Sequence, residues 1–253
     1  MSRLWNSFKI AFAMYSKIPM PRAEWKEENM RYAMFFFPLI GIVIGAFVIL
    51  WGHAAAWLKA GSLLRGAGYV LIPVLVTGGI HLDGLLDTAD ALSSYQTRER
   101  KLEILKDSHA GAFAVITACC YFLALLGIWS EISTEQALVL AGGFVVSRSF
   151  SALAVAAFPP ARQDGTVAAF SDASRERCVE ISMYVLLVLA AGYMCLADVK
   201  PGAAACFGAW LTFVWYYCMS KKQFGGISGD LAGAFLQICE LVMAAAVYLA
   251  GKF

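Results

Sequence analysis

Long apolar segments recur along almost the whole of this chain, and they constrain its fold more than any other feature. A transmembrane helix needs about 20 predominantly apolar residues. The chain is 60% hydrophobic and only 15% charged, whereas soluble domains carry about 25% charged residues. We therefore predict one all-α, membrane-embedded domain over residues 1–253, a polytopic helical bundle. The seven predicted spans are residues 33–52, 66–82, 112–130, 137–157, 181–198, 202–219 and 232–250.

The basic residues are distributed unevenly between the two sides of this predicted bundle. The N-terminal arm has six Lys and Arg residues, and the loops on its side have four, three and two, which makes 15 against four on the other side. The positive-inside rule then places the N-terminus in the cytoplasm and the C-terminus outside. The net charge is only +2, and no basic face carries interleaved aromatic residues, so nucleic acid is not a predicted partner.

The N-terminal arm, residues 1–31, begins with an amphipathic pattern. Leu4, Trp5, Phe8 and Phe12 recur at helical spacing, and polar residues including Lys9 occupy the rest of the helical wheel. Two interpretations fit this pattern. The helix lies in the cytoplasmic interface with membrane lipids as its partners, or it is a first helix packed into the bundle.

Three carboxylates follow the second apolar segment. Asp83, Asp87 and Asp90 lie at positions i, i+4 and i+7, which places them within about 60° of one another on a helix. Two like charges about 6 Å apart repel by roughly 2 to 3 kcal/mol at an effective dielectric near 20. The simplest alternative is a solvated helix face, but oxygen ligands in this pattern favour Mg²⁺, with Mn²⁺ or Ca²⁺ as alternatives.

A second polar group stands just before the third span. If the chain between the second and third spans closes as a hairpin, Asp107 becomes a fourth carboxylate for the metal, and His109 becomes a candidate proton acceptor. The alternatives are that Asp107 only caps a helix or interacts with its dipole, and that His109 is structural.

A glycine-rich segment precedes the last span. Gly225, Gly226, Ser228 and Gly229 stand directly before Asp230, and closely spaced glycines at a helix N-terminus expose backbone N–H groups that suit a phosphate. A neighbouring cation, Lys222, either contacts that phosphate or serves only to set the topology.

One further cation lies inside a predicted span. Arg148 is either functional or the partner of a buried carboxylate. Together, the carboxylates, the metal and the cations predict phosphoryl or phosphodiester transfer at the cytoplasmic membrane surface.

These motifs resemble those of the cobalamin (5′-phosphate) synthase family, also called adenosylcobinamide-GDP ribazoletransferases. The resemblance covers residues 17 to 241 in family order. Its segments are 17–22 (KIPMPR), 37–41 (FPLIG), 78–90 (GGIHLDGLLDTAD), 105–111 (LKDSHAG), 147–148 (SR), 161–162 (AR) with Gly165, 225–230 (GGISGD) and 240–241 (EL).

The resemblance implies a multi-pass protein of the prokaryotic inner membrane that completes the lower loop of the corrinoid. Such an enzyme joins adenosylcobinamide-GDP to α-ribazole or its 5′-phosphate and releases GMP. A homo-oligomer, or association with other cobalamin-assembly enzymes, is an expectation of the same kind.

The resemblance also implies roles for individual residues. The three aspartates of the 78–90 segment become metal ligands, and Asp107 a ligand or general base. Asp230 supports the metal or the guanylate phosphates, and Arg148 and Arg162 are phosphate-binding candidates. The sequence departs from the expected pattern at Gln237, where an acidic residue is expected.

Other membrane proteins also use aspartate-rich helices. CDP-alcohol phosphotransferases expect Ala-Arg shortly after the first Asp-Gly, which is absent after Asp83-Gly84, and aromatic prenyltransferases need a second aspartate cluster, whereas Asp164 and Asp172 stand apart. A cation transporter is the alternative outside enzymes. It predicts acidic groups near the bilayer midplane, whereas the charges here gather at one side.

Overall fold

The structure is a computed structural model that describes residues 3–30, 32–107, 109–162 and 177–252. Arg31, Gly165, Asp164, Asp172 and Arg175 therefore lie outside the described residues. The described helices are α1 (Arg3–Tyr15), α2 (Glu27–Met30), α3 (Ala33–Trp57), α4 (Ser62–Thr77), α5 (Ile80–Ser93), α6 (Arg98–Ile104), α7 (Ala112–Glu131), α8 (Thr134–Ala157), α9 (Arg177–Ala197), α10 (Val199–Phe224) and α11 (Gly229–Ala250).

The helices confirm a polytopic membrane bundle. Six of them, α3 and α7 to α11, are long and apolar enough to cross a bilayer. The pair α4 and α5 also passes the test of length and hydropathy, but it bends by 95° at its break. The bundle therefore has six spans, or seven if the bent pair counts as one.

The second predicted span, 66–82, is not one continuous helix, as the prediction had it. The helix α4 ends at Thr77, and Gly78 and Gly79 follow with φ angles of 68° and 81°. Two successive left-handed residues stop a helix, and glycine adopts this conformation without a steric penalty. The carboxylates consequently lie on α5, a separate helix that turns away from α4.

Helix α8 forms the centre of the bundle. Its apolar segment is 83% buried, against 22% for α7 and for α9. It packs against α3, α9, α10 and α11. A Cβ added at Gly45 of α3 would lie 2.7 Å from the Ala141 carbonyl oxygen, so a glycine lets the two backbones touch. Close approach of this kind is how membrane helices gain packing energy without a hydrophobic driving force between them.

Helix α1 packs on α3 with its polar side inward, which supports the second of the two interpretations of the N-terminal arm. The Lys9 ammonium is buried and donates to the Arg22 carbonyl oxygen over 2.8 Å. The Ser7 hydroxyl donates to the Asn29 carbonyl oxygen over 2.6 Å. Of the apolar stripe, Phe12 is buried and Phe8 contacts the ring of Phe36, whereas Leu4 and Trp5 at the start of the helix remain exposed.

The topology predicts the side from which single cysteines react. In a background without the natural cysteines, Gln96→Cys should react with an impermeant maleimide from the cytoplasm and Lys59→Cys from outside. This prediction takes the bent pair α4 and α5 as one crossing between these exposed positions, with most basic residues on the side of Gln96. Labelling intact and inverted vesicles measures this, and reaction of both cysteines from one side would contradict it.

Candidate active site

Helix α5 crosses the first turns of α11 at very short range. A Cβ added at Gly84 would lie 2.6 Å from the Asp230 carbonyl oxygen, and one at Gly233 would lie 2.9 Å from the carbonyl oxygen of His81. Because glycines stand at both contacts, the two backbones touch. This crossing brings the carboxylates of α5 to the N-terminus of α11.

The crossing creates a cluster of negative charge. Asp87 is repelled by Asp83, by Asp230 and by Asp90, and Asp230 is repelled by Asp83. Across the described ranges, no Lys or Arg forms an ion pair with Asp83, Asp87 or Asp230. The predicted self-repulsion is therefore present and includes Asp230, so a cation bound there would relieve it.

Asp90 has a different role from the other two aspartates of α5. Its Oδ2 accepts from the Gly111 N–H over 2.6 Å and its Oδ1 from the Ala114 N–H over 2.9 Å. These are unpaired donors at the N-terminus of α7, and a carboxylate there is a charge-assisted cap. The structure thus ties Asp90 to the packing of α5 on α7, and its role as a metal ligand stays a prediction.

Asp107 does not join the carboxylate cluster. Helix α6 intervenes between α5 and the 105–111 segment, and the hairpin closes through Asp90 instead. Asp107 accepts from the His109 backbone N–H over 3.0 Å and lies 2.7 Å from the ring Nδ1. The hydrogen bond from this ring is the main cause that lowers the pKa of Asp107. The fourth carboxylate that acts on Asp87 in the structure is Asp230, and a ligand or general-base role for Asp107 stays a prediction.

The glycine segment is held to the residues that follow α8 by two backbone hydrogen bonds. The Ile227 N–H donates to the Pro159 carbonyl oxygen over 2.9 Å, and the Ala161 N–H donates to the Ile227 carbonyl oxygen over 2.8 Å. A Cβ at Gly226 would meet this backbone, whereas a Cβ at Gly229 would meet nothing within 4 Å. Hence Gly226 serves packing, and Gly229 borders open space at the start of α11.

The first turn of α11 is capped by its own preceding residue. The Ser228 hydroxyl accepts from the Leu231 N–H over 3.3 Å. Asp230 lies in the same turn, and Gly229 leaves that turn open to solvent. The N-terminus of α11, where a phosphate site is predicted, is therefore accessible from solvent. It lies next to the carboxylate cluster.

Several cations surround the glycine segment. The Arg98 guanidinium lies directly over Gly225, whose φ of 76° ends α10. Arg162 donates to the Leu102 carbonyl oxygen over 3.3 Å, and the Lys101 ammonium donates to Gln223 Oε1 over 2.6 Å. The predicted cation Lys222 is exposed one residue before Gln223. Helix α6 thereby brings positive charge over the segment.

Arg148 lies elsewhere, in the interior of the bundle. It is fully buried, and its Nη1 lies 2.6 Å from Glu240 Oε1 on α11. The Ser147 hydroxyl also donates to that oxygen, over 3.0 Å. The structure therefore shows the pairing alternative for Arg148. Gln237, where an acidic residue was expected, accepts from the Tyr121 hydroxyl over 2.7 Å. The acidic side chain that α11 contributes to the interior is Glu240.

Comparison with known proteins decides the family. Residues 7–248 match the model of the cobalamin-5-phosphate synthase family. The chain belongs to the cobalamin-5-phosphate synthase family. It is similar to a protein of Lachnoclostridium phytofermentans named adenosylcobinamide-GDP ribazoletransferase, with 47% identity over 97% of this chain and 94% of the relative.

More distant relatives carry the same name. A protein of Desulfitobacterium hafniense is 32% identical over 100% of this chain and 97% of its own length. One of Clostridium botulinum is 29% identical over 96% of each chain. No solved structure matches the chain. The cobalamin-5-phosphate synthase assignment stands against the CDP-alcohol phosphotransferase, prenyltransferase and transporter alternatives.

The chemistry of these carboxylates fits Mg²⁺ better than a metal held by protein ligands alone. Among the described residues, no group of three His, Cys, Asp or Glu is arranged to hold a metal by itself. Magnesium usually binds through one or two carboxylates together with waters and substrate phosphates. One or two carboxylates from among Asp83, Asp87 and Asp230 would meet that requirement beside the glycine segment, whereas a structural zinc site needs four protein ligands.

Sequence reasoning missed Arg98 at this site, because nothing local in the sequence connects it to Gly225. It also missed one unusual backbone conformation, in the loop before α6. Tyr95, between α5 and α6, is 91% exposed and has a φ of 52°. A left-handed conformation is uncommon for a residue with a Cβ and is frequent at functional sites. No signal in the sequence around Tyr95 predicts it.

Proposed function

We propose that this chain is a Mg²⁺-dependent adenosylcobinamide-GDP ribazoletransferase of the inner membrane, with its active site at the cytoplasmic end of the bundle. The observation that carries the proposal is the contact of Gly84 with Asp230. It joins the carboxylates of α5 to the glycine segment in a chain whose relatives bear this name. The proposal includes association with a second copy or with other cobalamin-assembly enzymes, which native electrophoresis tests.

The reaction replaces a phosphoanhydride bond by a phosphodiester bond. A ribose hydroxyl of α-ribazole, or of its 5′-phosphate, attacks the phosphorus nearer the cobinamide, the pyrophosphate bond breaks, and GMP leaves. Bound Mg²⁺ supplies neutralisation of the pyrophosphate and of the departing phosphate. The residues of α5 and α11 hold that cation, and the open N-terminus of α11 faces the guanylate phosphates.

Cations and a proton acceptor complete the site. Arg98, Arg162 and Lys222 stand around the glycine segment, where they stabilise the charge of the leaving GMP. His109 is the proton acceptor. Its Nδ1 lies 2.7 Å from Asp107 Oδ1, which favours the tautomer with the proton on Nδ1 and leaves Nε2 to take the hydroxyl proton.

The test is a transfer assay with the purified chain in liposomes. We expect adenosylcobinamide-GDP and α-ribazole to yield equal amounts of GMP and of the joined corrinoid product. Omission of α-ribazole should stop GMP release, because the enzyme transfers to an acceptor hydroxyl rather than to water. GMP release without α-ribazole, or no release with both substrates, would contradict the proposal.

The glycine segment offers a clean probe of the phosphate site. Gly229→Ala should raise the KM for adenosylcobinamide-GDP about tenfold and leave that for α-ribazole unchanged, since the new Cβ meets no protein atom within 4 Å and enters the space assigned to phosphate. Alanine also favours helix over glycine, so the fold should keep its stability.

Gly226→Ala is the matched comparison. Its Cβ would meet the Ala161 nitrogen at 2.6 Å, so we expect a lower unfolding temperature and a loss of transfer activity at any concentration of either substrate. Initial rates with each substrate varied in turn separate the two outcomes. If Gly229→Ala raises only the KM for α-ribazole, the segment binds the acceptor instead.

A further inference from the structure

A cavity lies between α3 and α4, and none of the aspartates of α5 lines it. Its volume is about 390 Å³, and Phe47 of α3 together with Ile72, Leu75 and Val76 of α4 forms its apolar walls. Lys17, in the segment after α1, stands at its edge. The cavity is therefore apolar along its length and carries one cation.

The cavity opens toward the hydrocarbon of the membrane. Phe47 is 48% exposed and Leu75 is 70% exposed. Both belong to membrane helices, so their exposed surface faces lipid rather than water. An acyl chain is the apolar group that such a surface meets.

The cation at the edge of the cavity is available to a ligand. Lys17 is exposed, and within the described part of the chain no carboxylate pairs with its ammonium. Among the residues that the structure describes, it is the only charged one that lines the cavity. An anionic group is thus complementary to this end, and an uncharged or cationic one is not.

The same residue contacts the break between α4 and α5. The Lys17 N–H donates to the Val76 carbonyl oxygen over 2.8 Å. The aliphatic part of its side chain lies against Gly78, one of the two left-handed glycines at the 95° bend. A ligand bound to Lys17 would therefore also stabilise the bend at Gly78 and Gly79, where α5 begins.

We propose that this cavity binds an anionic phospholipid, with an acyl chain between α3 and α4 and the phosphate paired with Lys17. The lipid stabilises the bend before α5 and so favours the arrangement of Asp83 and Asp87 opposite Asp230. Lipid binding does not depend on the proposed function. Only its effect on catalysis rests on the transferase activity.

Lipid binding is measured directly by native mass spectrometry of the purified chain with phosphatidylglycerol or phosphatidylcholine. The wild type should bind phosphatidylglycerol about fivefold more tightly, as expected for one basic residue at an anionic surface. Lys17→Met keeps the apolar stem and removes the charge, so the preference should vanish. Lys17→Arg should retain it.

Two further variants control for general effects. Lys26→Met removes an exposed cation of the same arm that already pairs with Glu24 at 3.2 Å, and it should leave the preference unchanged. Leu75→Trp fills the cavity and should weaken binding of both lipids. A wild-type preference that survives in Lys17→Met, or equal binding of both lipids by the wild type, would overturn the proposal.

Activity gives the second readout. Phosphatidylglycerol in phosphatidylcholine liposomes should raise the transfer rate of the wild type but not of Lys17→Met, with equal rates in pure phosphatidylcholine. If the lipid preference follows Lys17 while no variant transfers ribazole, the lipid site stands and the proposed function fails. A rate increase that is the same in both proteins overturns the coupling to the bend.

Discussion

Asp83→Asn and Asp87→Asn should each lower the turnover number by at least about two orders of magnitude, as the loss of one electrostatic contact to a transition state does. Both side chains belong to the cluster that α5 forms with Asp230. Because Asn keeps the shape and removes one of the charges that repel one another in the cluster, each protein should still insert and should unfold at or above the wild-type temperature. Initial rates of GMP release in liposomes, with unfolding followed in detergent, measure the two effects separately.

The third aspartate of α5 distinguishes catalysis from packing. Asp90→Asn weakens the cap on α7 and should cost about 1 kcal/mol of stability, with a smaller loss of turnover. Asp198→Asn is a matched control, since Asp198 caps α10 away from the carboxylate cluster and should leave turnover unchanged. Near-normal turnover of Asp83→Asn or Asp87→Asn would remove that residue from the site.

Arg148→Met should destabilise the chain by about 3 to 5 kcal/mol, because it leaves the buried Glu240 carboxylate without its partner. The ion pair joins α8 to α11 over 2.6 Å in the interior. Loss of activity should follow loss of folded protein, and the KM values of the remaining folded enzyme should stay near those of the wild type. Thermal unfolding in detergent together with both KM values measures this.

The double variant Arg148→Met/Glu240→Gln is the control for charge. It removes both partners, so it should recover much of the stability lost in Arg148→Met. Arg65→Met, which removes a cation from a less buried position on α4, should cost little. If Arg148→Met unfolds like the wild type but binds adenosylcobinamide-GDP more weakly, Arg148 contacts phosphate after all.

Hydropathy was sufficient to predict most of the bundle. Six predicted spans coincide with α3 and α7 to α11, because an apolar segment of membrane length has few other places to fold. The bend at Gly78 was not predicted. A Gly-Gly pair indicates weakness in a helix, but the direction that the chain then takes depends on α11, which is distant in sequence.

The site was predictable only where spacing on one helix decides the geometry. The three aspartates of α5 follow from helical periodicity. The resemblance implied that Asp230 belongs to the site, but spacing alone predicts neither its contact with α5 nor the position of Asp107 beyond α6. Both depend on the contact between Gly84 and α11 and on the presence of α6. Arg148 illustrates the same limit: both a phosphate and a buried carboxylate suit an arginine in a membrane, and only the packing of α8 on α11 selects Glu240.

In the proposed function, Asp83, Asp87 and Asp230 provide the carboxylates that hold the Mg²⁺ for transfer. A titration of GMP release against Mg²⁺ in liposomes, for the wild type and Asp230→Asn at saturating substrates, tests it most directly. We expect no release after chelation, recovery with Mg²⁺ or Mn²⁺, and about tenfold more Mg²⁺ for half-maximal rate in Asp230→Asn. A rate that survives chelation, or the same Mg²⁺ requirement in both proteins, would contradict the account.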